Sequence, residues 1–417
     1  MEVEIFDLGM NGEGVGSIDG KKIFVPKALP GEIVNAEIVK DCGNYAHAKL
    51  LHISKASSKR CVPACPYADC GGCDLMHMSY DYQLEFKKDL VQKTIKKITG
   101  LEVNVSDCVP SSKQYRFRNK VSYSFSGNGG GMIAGSSHDV VNVDKCLLAT
   151  DTQNDIFNLF KNVIAETKRK EVKNLVIKDF PSGILVCVVV KKELDLTEFY
   201  NQLNKKYSNI GLYQMVNNRR DSVVLSGKLI HVGGLKEIWL TEFGLKFPID
   251  IIAFHQTNDY IQNEIYSKML EYINIGDTVV NGFSGAGVLS GNIAGRAKQV
   301  IGIEIEKSSH KSAESLKRLN KIDNLTNICG DFTKEYRKIV KKLGRHTLVL
   351  DPSKKGCGDI VSDIKSAENL IYLSCNPIAL AKDLRELNQN YIIEEIIPFD
   401  MFPNTKSVET LVKLKRR

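Results

Sequence analysis

A single thiol stands where an apolar run gives way to a polar turn, in the segment IYLSCNPIAL (371–380). Residues 371–373 have the character of a buried strand, and Pro377 can open a helix at its first position. Ligands of open α/β sheets bind beyond the carboxyl ends of the strands, so Cys375 lies where a nucleophile would be placed. An ordinary semi-buried thiol is the alternative, because free cysteine is among the most buried residue types.

Four further cysteines lie close together in RCVPACPYADCGGCDLMH, namely Cys61, Cys65, Cys70 and Cys73. The glycines between the last two free the backbone to wrap a ligand, and thiolates are what zinc or an iron–sulfur cluster requires. In a reducing compartment these thiols are not expected to form disulfides. The spacing predicts a metal or cluster site and leaves zinc and iron–sulfur open.

A glycine-rich turn follows a predicted strand in VNGFSGAGVLSGNIAG (280–295). Gly285 and Gly287 permit a tight turn and the close approach of a ligand, as in nucleotide-binding α/β folds. Glu304 ends the next predicted strand, where an acid can accept hydrogen bonds from both ribose hydroxyls. The pattern departs from a dinucleotide fingerprint, since Gly291 comes four residues after Gly287. Together these features predict a nucleoside-type cofactor.

Two acidic residues complete the candidate chemistry. Asp351 ends a predicted strand in LVLDPSKKGCGD, on the same ligand-bearing edge, and the lysines Lys354 and Lys355 after it either contact phosphates or are solvated. Glu409 follows an aromatic-rich turn in FDMFPNTKSVETLVKL. Taken alone, this glutamate is more typical of a surface or capping position.

A run of alternating cations and aromatics occurs in KQYRFRNKVSYSF. On an extended strand Arg116, Arg118 and Lys120 share one face, and Tyr115 and Phe117 lie on the other. Such a row suits phosphate contact combined with base stacking. A solvated outer face above core-facing aromatics explains the stretch equally well.

The elements that position these residues fall into three groups. Residues 1–58 read as short β segments with an Asp19-Gly20 hairpin turn, which predicts a small closed barrel. Residues 59–250 hold the cysteines and then a mixture of helices and strands. From 251 to 417 strands alternate with helices, which predicts a parallel, doubly wound sheet and an α/β fold class.

Composition sets the broad class. With 417 residues, 43% of them hydrophobic, the chain is long enough for two or three folded domains. No apolar run approaches the roughly 20 residues of a membrane span, and the N-terminus lacks the features of a signal peptide. We therefore expect a cytoplasmic protein. The net charge of +8 permits nucleic-acid binding without arguing strongly for it.

Nearly end to end, these segments resemble the S-adenosylmethionine-dependent RNA (uracil-5-)-methyltransferase family. GEGVGSIDGKKIFVPKALPGE is similar to the family's TRAM domain, an oligonucleotide-binding type barrel. The cysteine-rich segment is similar to one that holds a 4Fe–4S cluster, which implies Cys65, Cys70 and Cys73 as ligands. The resemblance implies Cys146, in VDKCLLAT, as the fourth ligand, with Cys61 as the competing candidate.

The resemblance extends to the C-terminal domain, which would be a Rossmann-like methyltransferase domain following a central α+β RNA-binding domain. FHQTN matches Phe-x-Gln-x-Asn, and NGFSGAG matches Asp-x-Phe/Tyr-Cys/Ser-Gly-x-Gly. Glu304 fits the ribose acid, and GDF implies that Asp331 lies near the adenine. The cofactor contacts implied are Gln256, Phe283, Gly285, Gly287, Glu304, Asp331 and Asp351.

Three motifs carry the catalytic roles that the resemblance implies. DPSKKGC is similar to Asp-Pro-Pro-Arg-x-Gly, SCNP to the catalytic-cysteine motif, and FDMFPNTKSVE ends on the family's glutamate. The implied roles are addition of Cys375 to C6 of uracil, removal of the C5 proton by Glu409, and orientation of the ring by Asp351. We expect an accessible and partly ionised thiol at this turn.

The TRAM-like barrel and cluster segment are similar to the rRNA-acting branch, which implies 5-methyluridine in 23S rRNA as the product. We also expect a monomer. A tRNA uridine is the alternative target. A catalytically weak RNA-binding or ribosome-assembly protein is a second alternative, because four positions depart from the family's pattern. They are Asn281, Ser353, Lys354 and Ser407.

Overall fold

The computed structural model describes residues 1–67, 69–127, 129–135, 137–219 and 223–417. Its strands form a closed barrel, two seven-stranded sheets and a two-stranded sheet. Among the helices of these residues, none combines the length and the apolar character that crossing a bilayer requires.

The N-terminal strands close into a barrel, as the sequence predicts. They are β1 (Glu2–Leu8), β2 (Gly14–Ile18), β3 (Lys21–Val25), β4 (Ile33–Asp41) and β5 (Tyr45–Lys55). Asp19 and Gly20 have φ angles of 49° and 79°, the conformation that a two-residue hairpin turn between β2 and β3 needs. Val3, Ile23 and Val34 are among the side chains buried inside, so the barrel has its own apolar core.

The middle of the chain forms a seven-stranded sheet in the order β12-β11-β10-β9-β6-β7-β8. The elements are α1 (Tyr80–Thr99), β6 (Lys120–Ser126), β7 (Gly129–Ile133), β8 (Val140–Asn142), α2 (Asp151–Val163), α3 (Glu166–Arg169), β9 (Val172–Phe180), β10 (Gly183–Val190), α4 (Thr197–Lys206), β11 (Ile210–Val216), β12 (Lys228–Gly234), β13 (Ile238–Glu242) and β14 (Leu245–Ile249). β10 is buried along its whole length, because α2 and α4 cover one face and the β13–β14 hairpin covers the other.

The strand predicted for residues 113–125 begins later than the sequence suggests. β6 starts at Lys120. Arg116 has a φ of 53°, which an extended strand does not allow, and Arg118 pairs with Ala149 in an isolated bridge. The prediction that residues 115–120 alternate across one strand is therefore wrong.

The C-terminal sheet has the order β17-β16-β15-β18-β19-β21-β20. Its elements are α5 (Asp259–Glu271), β15 (Thr278–Gly282), α6 (Val288–Ala294), β16 (Gln299–Glu304), α7 (Lys307–Leu319), β17 (Leu325–Cys329), α8 (Phe332–Leu343), β18 (Thr347–Leu350), a 3₁₀ turn (Gly358–Asp363), β19 (Asn369–Ser374), α9 (Pro377–Leu387), β20 (Tyr391–Phe399) and β21 (Glu409–Arg416). The pairs from β17 to β19 are parallel, which confirms the predicted sheet, and β21 inserts antiparallel between β19 and β20.

Helix α1 precedes the central sheet in sequence but packs on the C-terminal sheet layer, against α9 and β20. Val91 and Ile95 join the same apolar cluster as side chains of β18 and β19. Lys87 forms a fully buried ion pair with Asp400 and donates to the Phe402 carbonyl oxygen at 3.0 Å. This helix therefore fixes the segment that follows β20. The division of the chain after residues 58 and 250 stays a prediction.

Candidate active site

Three predicted residues meet at the carboxyl edge of the C-terminal sheet. Cys375 follows β19, Asp351 follows the neighbouring parallel strand β18, and Glu409 begins β21. Ser374 is paired with Thr410 across the antiparallel strands β19 and β21. The next position on each strand therefore places Cys375 beside Glu409. Strand order brings together residues that are far apart in sequence.

The Cys375 thiol is half-buried, and its surroundings oppose ionisation. Burial, followed by the nearby carboxylates of Glu409 and Asp351, raises its pKa to about 11, although the Lys354 ammonium lowers it. The protein's own groups therefore disfavour the partly ionised thiol that the proposed chemistry requires, and its ionisation stays a prediction. Forming the thiolate requires additional positive charge, or fewer negative charges, in this pocket.

The two carboxyl groups of the cluster also favour their protonated forms. Burial and the neighbouring Asp351 raise the pKa of Glu409 well above its usual value, while Lys354 opposes the shift. Burial and the charge of Glu304 raise the pKa of Asp351 to about 7. Titratable groups with such shifts, gathered in one pocket, are typical of functional sites.

The loop that follows Asp351 is fastened to the turn that carries Cys375. Asn376 caps α9 by accepting the Ile378 N–H at 3.1 Å, and its amide nitrogen donates to the Lys354 carbonyl oxygen at 2.8 Å. One side chain therefore sets the start of the helix and the path of the neighbouring loop.

Asp383 holds the far end of the same loop. It accepts the Cys357 N–H at 2.8 Å and the Tyr372 hydroxyl at 2.6 Å. Gly356 has a φ of 77°, and a Cβ there would lie 2.8 Å from the Asp383 carboxylate oxygen Oδ2. The loop is thus held at both ends on α9. Neither Asn376 nor Asp383 was identified from the sequence.

The glycine turn between β15 and α6 has the backbone that close ligand approach requires. Phe283, Gly285 and Gly287 have φ angles of 60°, 56° and 82°. A Cβ on Gly287 would lie 2.8 Å from the Cβ of Ala313, whereas a Cβ on Gly285 would meet open space. Positive φ is uncommon for a phenylalanine, and Phe283 is supported by Phe332, with ring centroids 5.0 Å apart.

Glu304 lies beside this turn at the end of β16. Its carboxylate accepts the Gly285 N–H at 2.8 Å and the Glu306 N–H at 2.7 Å. A carboxylate offers about four lone-pair sites, so both oxygens can accept further bonds. Asp331 follows β17 on the same edge and caps α8 by accepting the Lys334 N–H at 3.1 Å. The arrangement fits a nucleoside whose ribose faces Glu304.

The FHQTN segment bridges the two halves of the site. Gln256 donates its side-chain N–H to Asp351 at 3.3 Å. Asn258 caps α5 and donates to the Met401 carbonyl oxygen at 3.0 Å, in the segment that leads to Glu409. Gln256 therefore lies at the strand-end acid, and its contact with a cofactor stays a prediction.

His255 occupies a buried position between two carboxylates. Its Nε2 lies 2.6 Å from Glu242 Oε1, and its Nδ1 lies 2.7 Å from the Gln256 carbonyl oxygen and 3.9 Å from Asp259. Burial lowers the pKa of His255, but the bound Glu242 carboxylate raises it above its usual value. Because the carboxylates face different ring nitrogens, the group fits a charged imidazolium better than a metal site. No motif in the sequence predicts the contact between His255 and Glu242.

Four cysteines gather at the edge of the central domain. Cys65, Cys70, Cys73 and Cys146 are each half-buried. Burial raises the pKa of Cys73 to about 12; Arg118 lowers it, and the other three thiols raise it. Cys70 responds to Cys146 and Cys65 in the same sense. The structure therefore places Cys146 near the three cysteines of the N-terminal segment.

Cys61 is in a different setting. It is exposed, and its thiol donates to the Met76 carbonyl oxygen at 3.4 Å. In the described part of the chain, no cysteine belongs to a group of three or more possible ligands whose donor atoms all lie within 4.8 Å of one another. A zinc ion with bonds of about 2.3 Å would hold its sulfurs about 3.8 Å apart. Among the described residues, no three of the cysteine thiols are gathered closely enough for such an ion as they stand.

The three predicted RNA-binding cations do not form one row. Arg116 lies in the left-handed turn with a largely exposed side chain, 3.4 Å from Asp151. Arg118 lies near the cysteines, where its charge lowers the pKa of Cys70. Lys120 is half-buried, and burial lowers its pKa. The prediction that the three cations share one strand face is therefore wrong. A role in RNA binding stays a prediction for each of them.

Asn404 connects several segments to the loop before Glu409, and sequence reasoning missed it. Its backbone carbonyl accepts the Leu75 N–H at 3.0 Å, next to the cysteine segment. Its side chain donates to the Gln114 carbonyl oxygen, and its N–H donates to Gln83, both at 2.9 Å. Gln114 and Gln83 lie 290 and 321 positions away from Asn404, so no local sequence pattern predicts these contacts.

Two departures from the family motifs have a structural account. Asn281 is buried in β15 and donates to the Ser290 hydroxyl of α6 at 2.8 Å. The amide thus ties the strand to the helix that follows the glycine turn. At Ser353 the turn is closed by its backbone carbonyl, which accepts the Gly356 N–H at 2.9 Å, so the lost proline removes no bond.

The sheet order, the glycine turn and the strand-end cluster define a Rossmann-like α/β methyltransferase domain. A family model described as tRNA (Uracil-5-)-methyltransferase matches residues 79–417, and a TRAM-domain model matches residues 1–51. The chain therefore belongs to the RNA (uracil-5-)-methyltransferase family that carries an N-terminal TRAM domain.

Individual relatives are similar over their full lengths. The chain is 32% identical to an uncharacterized RNA methyltransferase of Clostridium acetobutylicum, over 100% of this chain and 96% of the relative. It is 30% identical to one of Halalkalibacterium halodurans, with the same coverage. A solved Pyrococcus abyssi tRNA (uracil-54, C5)-methyltransferase, in complex with S-adenosyl-L-homocysteine, superposes with a TM-score of 0.77 at 26% identity, covering 99% of this chain and 100% of that one.

Proposed function

We propose that this protein transfers a methyl group from S-adenosylmethionine to C5 of a uridine in 23S rRNA, giving 5-methyluridine. One observation carries the proposal: the Cys375 thiol lies beside the buried Glu409 at the ligand-binding edge of a Rossmann-like sheet. Uracil C5 is too weak a nucleophile to take a methyl group unaided. A thiol that adds to the ring and a group that accepts a proton supply what is missing.

The glycine turn fits S-adenosylmethionine. We assign the ribose hydroxyls to Glu304, the neighbourhood of the adenine to Asp331 and the methionine part to Gln256, with open space beside Gly285 for close approach. Bound there, the cofactor supplies an electrophilic methyl group and a positive charge that favours the ionised forms of nearby acids. The remaining proposed contacts are Phe283, Gly287 and Asp351.

Cys375 acts as the nucleophile. Its thiolate bonds to C6, and the C5–C6 π electrons move into an enolate on the C4 carbonyl. When the enolate re-forms the carbonyl, C5 bonds to the methyl group, and the electron pair of the broken sulfur–methyl bond stays on the cofactor sulfur. Asp351 hydrogen-bonds to the uracil ring and orients it.

Glu409 completes the turnover. Its carboxylate takes the C5 proton, the C–H electrons restore the C5–C6 double bond, and the Cys375–C6 bond breaks to return the thiolate. Both groups must be ionised when they act, although burial opposes this. Lys354 lowers both pKa values, so its ammonium group performs part of the task of the arginine usual in the motif. It does so without a bidentate fork.

We further propose that Cys65, Cys70, Cys73 and Cys146 hold a 4Fe–4S cluster. The resemblance implies this ligand set, and the electrostatic influence of Cys146 on Cys70 and Cys73 supports the nearness of the fourth thiol to the other three. Such a cluster would supply a structural anchor, because the proposed methyl transfer moves no net electrons. Cys73 is followed by the segment whose Leu75 N–H binds the Asn404 carbonyl oxygen.

The RNA target is the finer part of the proposal. We favour 23S rRNA because of the likeness of the barrel and cluster segment to the rRNA-acting branch, and we propose a monomer that acts in the cytoplasm. The full-length similarity to a tRNA (uracil-54, C5)-methyltransferase makes a tRNA uridine the second candidate. Because that tRNA enzyme matches this chain along its whole length, the presence of the barrel does not by itself distinguish an rRNA target from a tRNA target.

Methyl transfer to defined RNA tests the proposal. The purified protein is incubated with methyl-labelled S-adenosylmethionine and unmodified 23S rRNA, or with unmodified bulk tRNA, and 5-methyluridine is mapped by mass spectrometry. Label in 23S rRNA is expected. Label in tRNA alone would mean that the target is a tRNA uridine, while the proposed methyl-transfer chemistry would stand. RNA binding with no label in either RNA would overturn the function in favour of a binding or assembly protein.

A further inference from the structure

A groove of about 640 Å³ opens between the cysteine-rich segment and the loop that precedes β6. Its walls include Ala64, Lys113, Tyr115, Arg116 and Leu147. Among the described residues that line it, none belongs to the predicted catalytic or cofactor set. The groove is therefore distinct from the site of Cys375, Asp351 and Glu409 at the strand ends, here called the strand-end pocket.

Two hydrogen bonds connect the groove-lining segment to the candidate active site, one at the lining residue Gln114 and one at Ser111, which precedes the lining residue Ser112. The Gln114 carbonyl oxygen accepts the Asn404 amide at 2.9 Å, and the Ser111 hydroxyl accepts the Asn258 amide at 3.2 Å. Asn404 lies in the segment that leads to Glu409, and Asn258 lies in the FHQTN motif. The groove is therefore held on the two segments that flank the strand-end pocket.

One wall of the groove presents an aromatic ring. Tyr115 is 38% exposed, whereas Phe117 beside it is buried. Burial, and then the thiols of Cys61, Cys73 and Cys65, raise the pKa of the Tyr115 hydroxyl, so the ring lies close to the cysteine cluster. A tyrosine held at the rim of an open groove can stack a planar ligand with little loss of side-chain freedom.

Two cations stand on either side of this ring in sequence; contacts hold the side chain of Lys113 and the backbone of Arg116, and the Arg116 guanidinium lies 3.4 Å from Asp151. Lys113 lies 4.4 Å from the centre of the Tyr260 ring and donates to its hydroxyl at 2.6 Å. The Arg116 N–H donates to the Leu147 carbonyl oxygen at 2.9 Å, which holds the left-handed turn. The groove thus combines positive charge and an aromatic face, the composition of single-stranded nucleic-acid sites.

We propose that this groove binds an unstacked nucleobase of the RNA, close in the strand to the base that enters the active site, with Tyr115 as the stacking platform. Lys113 and Arg116 contact the flanking phosphates. The inference rests on the proposed function and deepens it, because the groove supplies a second holding point for a strand whose target base must leave its stack. It also replaces the single row of cations that the sequence predicts.

Strand binding with and without bases tests the groove. The probes are a fluorescein-labelled uridine dodecamer and an abasic ribose-phosphate strand of equal length, and Kd is measured by anisotropy at fixed salt. We expect Tyr115→Ala to weaken binding of the uridine strand about 5- to 100-fold, the range that loss of one base stack implies. The abasic strand should bind the variant and the wild-type protein equally. Tyr115→Phe keeps the ring and should retain wild-type affinity.

The control is Trp239→Ala, which removes a ring of similar exposure on the β13–β14 hairpin, away from the groove. Equal loss for both strands, no loss with Tyr115→Ala, or equal loss with Trp239→Ala would overturn the proposal. Circular dichroism and unfolding midpoints establish that the variants fold. The binding assay needs no methyl transfer. A wild-type protein that labels no RNA would therefore contradict the proposed function, whereas the binding comparison would still show whether the groove binds a base.

Discussion

The side-chain amide of Asn376 donates a hydrogen bond to the Lys354 carbonyl oxygen over 2.8 Å. This contact joins the turn that carries Cys375 to the loop that follows Asp351, while the same side chain caps α9. One amide therefore links the turn that carries the thiol to the loop that carries the ammonium group, in addition to the contacts of Asp383 at the far end of that loop. The order of the strands brings the site residues together, and contacts between the loops fix their relative positions.

Replacing Asn376 should separate its two roles. Asn376→Ser keeps an oxygen that can cap α9 and removes the donor to Lys354. We expect kcat for RNA methylation to fall about 10- to 100-fold, because small displacements of reacting groups are costly, with little change in KM for S-adenosylmethionine. Steady-state transfer of labelled methyl groups measures both constants. Asn388→Ser, at the other end of α9, is the control; an equal fall there would mean that helix stability alone is involved.

The covalent step can be trapped on RNA. RNA containing 5-fluorouridine has no C5 proton to remove, so the wild-type protein should remain bonded to it after methyl transfer. Glu409→Gln should accumulate the same bond on ordinary RNA and lose about 10²- to 10⁴-fold in turnover, because the proton acceptor is missing. Denaturing gels with labelled RNA detect the adduct.

Two cysteine variants serve as the test and the control of the trapping experiment. Cys375→Ala should give neither adduct nor methyl transfer. Cys329→Ala removes an exposed thiol at the end of β17 and should behave as wild type. An adduct that persists in Cys375→Ala would exclude this thiol as the nucleophile.

The parts of the fold that follow local rules could be predicted from sequence. The Asp19-Gly20 turn, helix α5 with its buried Ile261 and Ile265, and the start of α9 at Pro377 each follow from residue type and spacing. Because parallel strands end at the same edge, residues 351 and 375 could also be expected together.

The remainder depended on contacts between distant segments. The left-handed turn at Arg116 breaks an alternation that reads as a strand, and it is held by the Leu147 carbonyl oxygen. The ion pair of Lys87 and Asp400 joins residues 313 positions apart. The upward pKa shift of Cys375 arises from burial and two acids on neighbouring strands. Residue spacing contains no information on such contacts.

Cysteine variants should identify the fourth ligand of the cluster. Cys146 lies near Cys70 and Cys73, whereas the Cys61 thiol is exposed and bonded to a backbone carbonyl. After anaerobic purification we expect Cys146→Ser to lose most of its iron, sulfide and visible absorption, and Cys61→Ser to keep them. Iron retained in Cys146→Ser and lost in Cys61→Ser would reverse the assignment, and stoichiometric zinc without iron would exclude the cluster.

Removing the charge of Asp351 should stabilise the protein at the expense of activity. Burial and Glu304 raise the pKa of this carboxyl from 3.8 to about 7. Below pH 3.8 the folded and unfolded chains both hold the proton. Between 3.8 and about 7 the unfolded chain releases a proton that the folded protein keeps, so stability falls as the pH rises through this window. Above about 7 the penalty is constant, on the order of 4 kcal/mol at most.

Asp351→Asn carries no ionisable group and can still accept the Gln256 N–H. We expect its free energy of unfolding in urea to exceed that of wild type by about 2–4 kcal/mol at pH 8, and by less at pH 5, with methyl transfer largely lost. Asp359→Asn, at an exposed position on the following loop, should change neither the stability nor its pH dependence. A variant that is less stable than wild type at pH 8, or a difference that does not grow from pH 5 to pH 8, would mean that Asp351 is ionised and compensated in the folded protein.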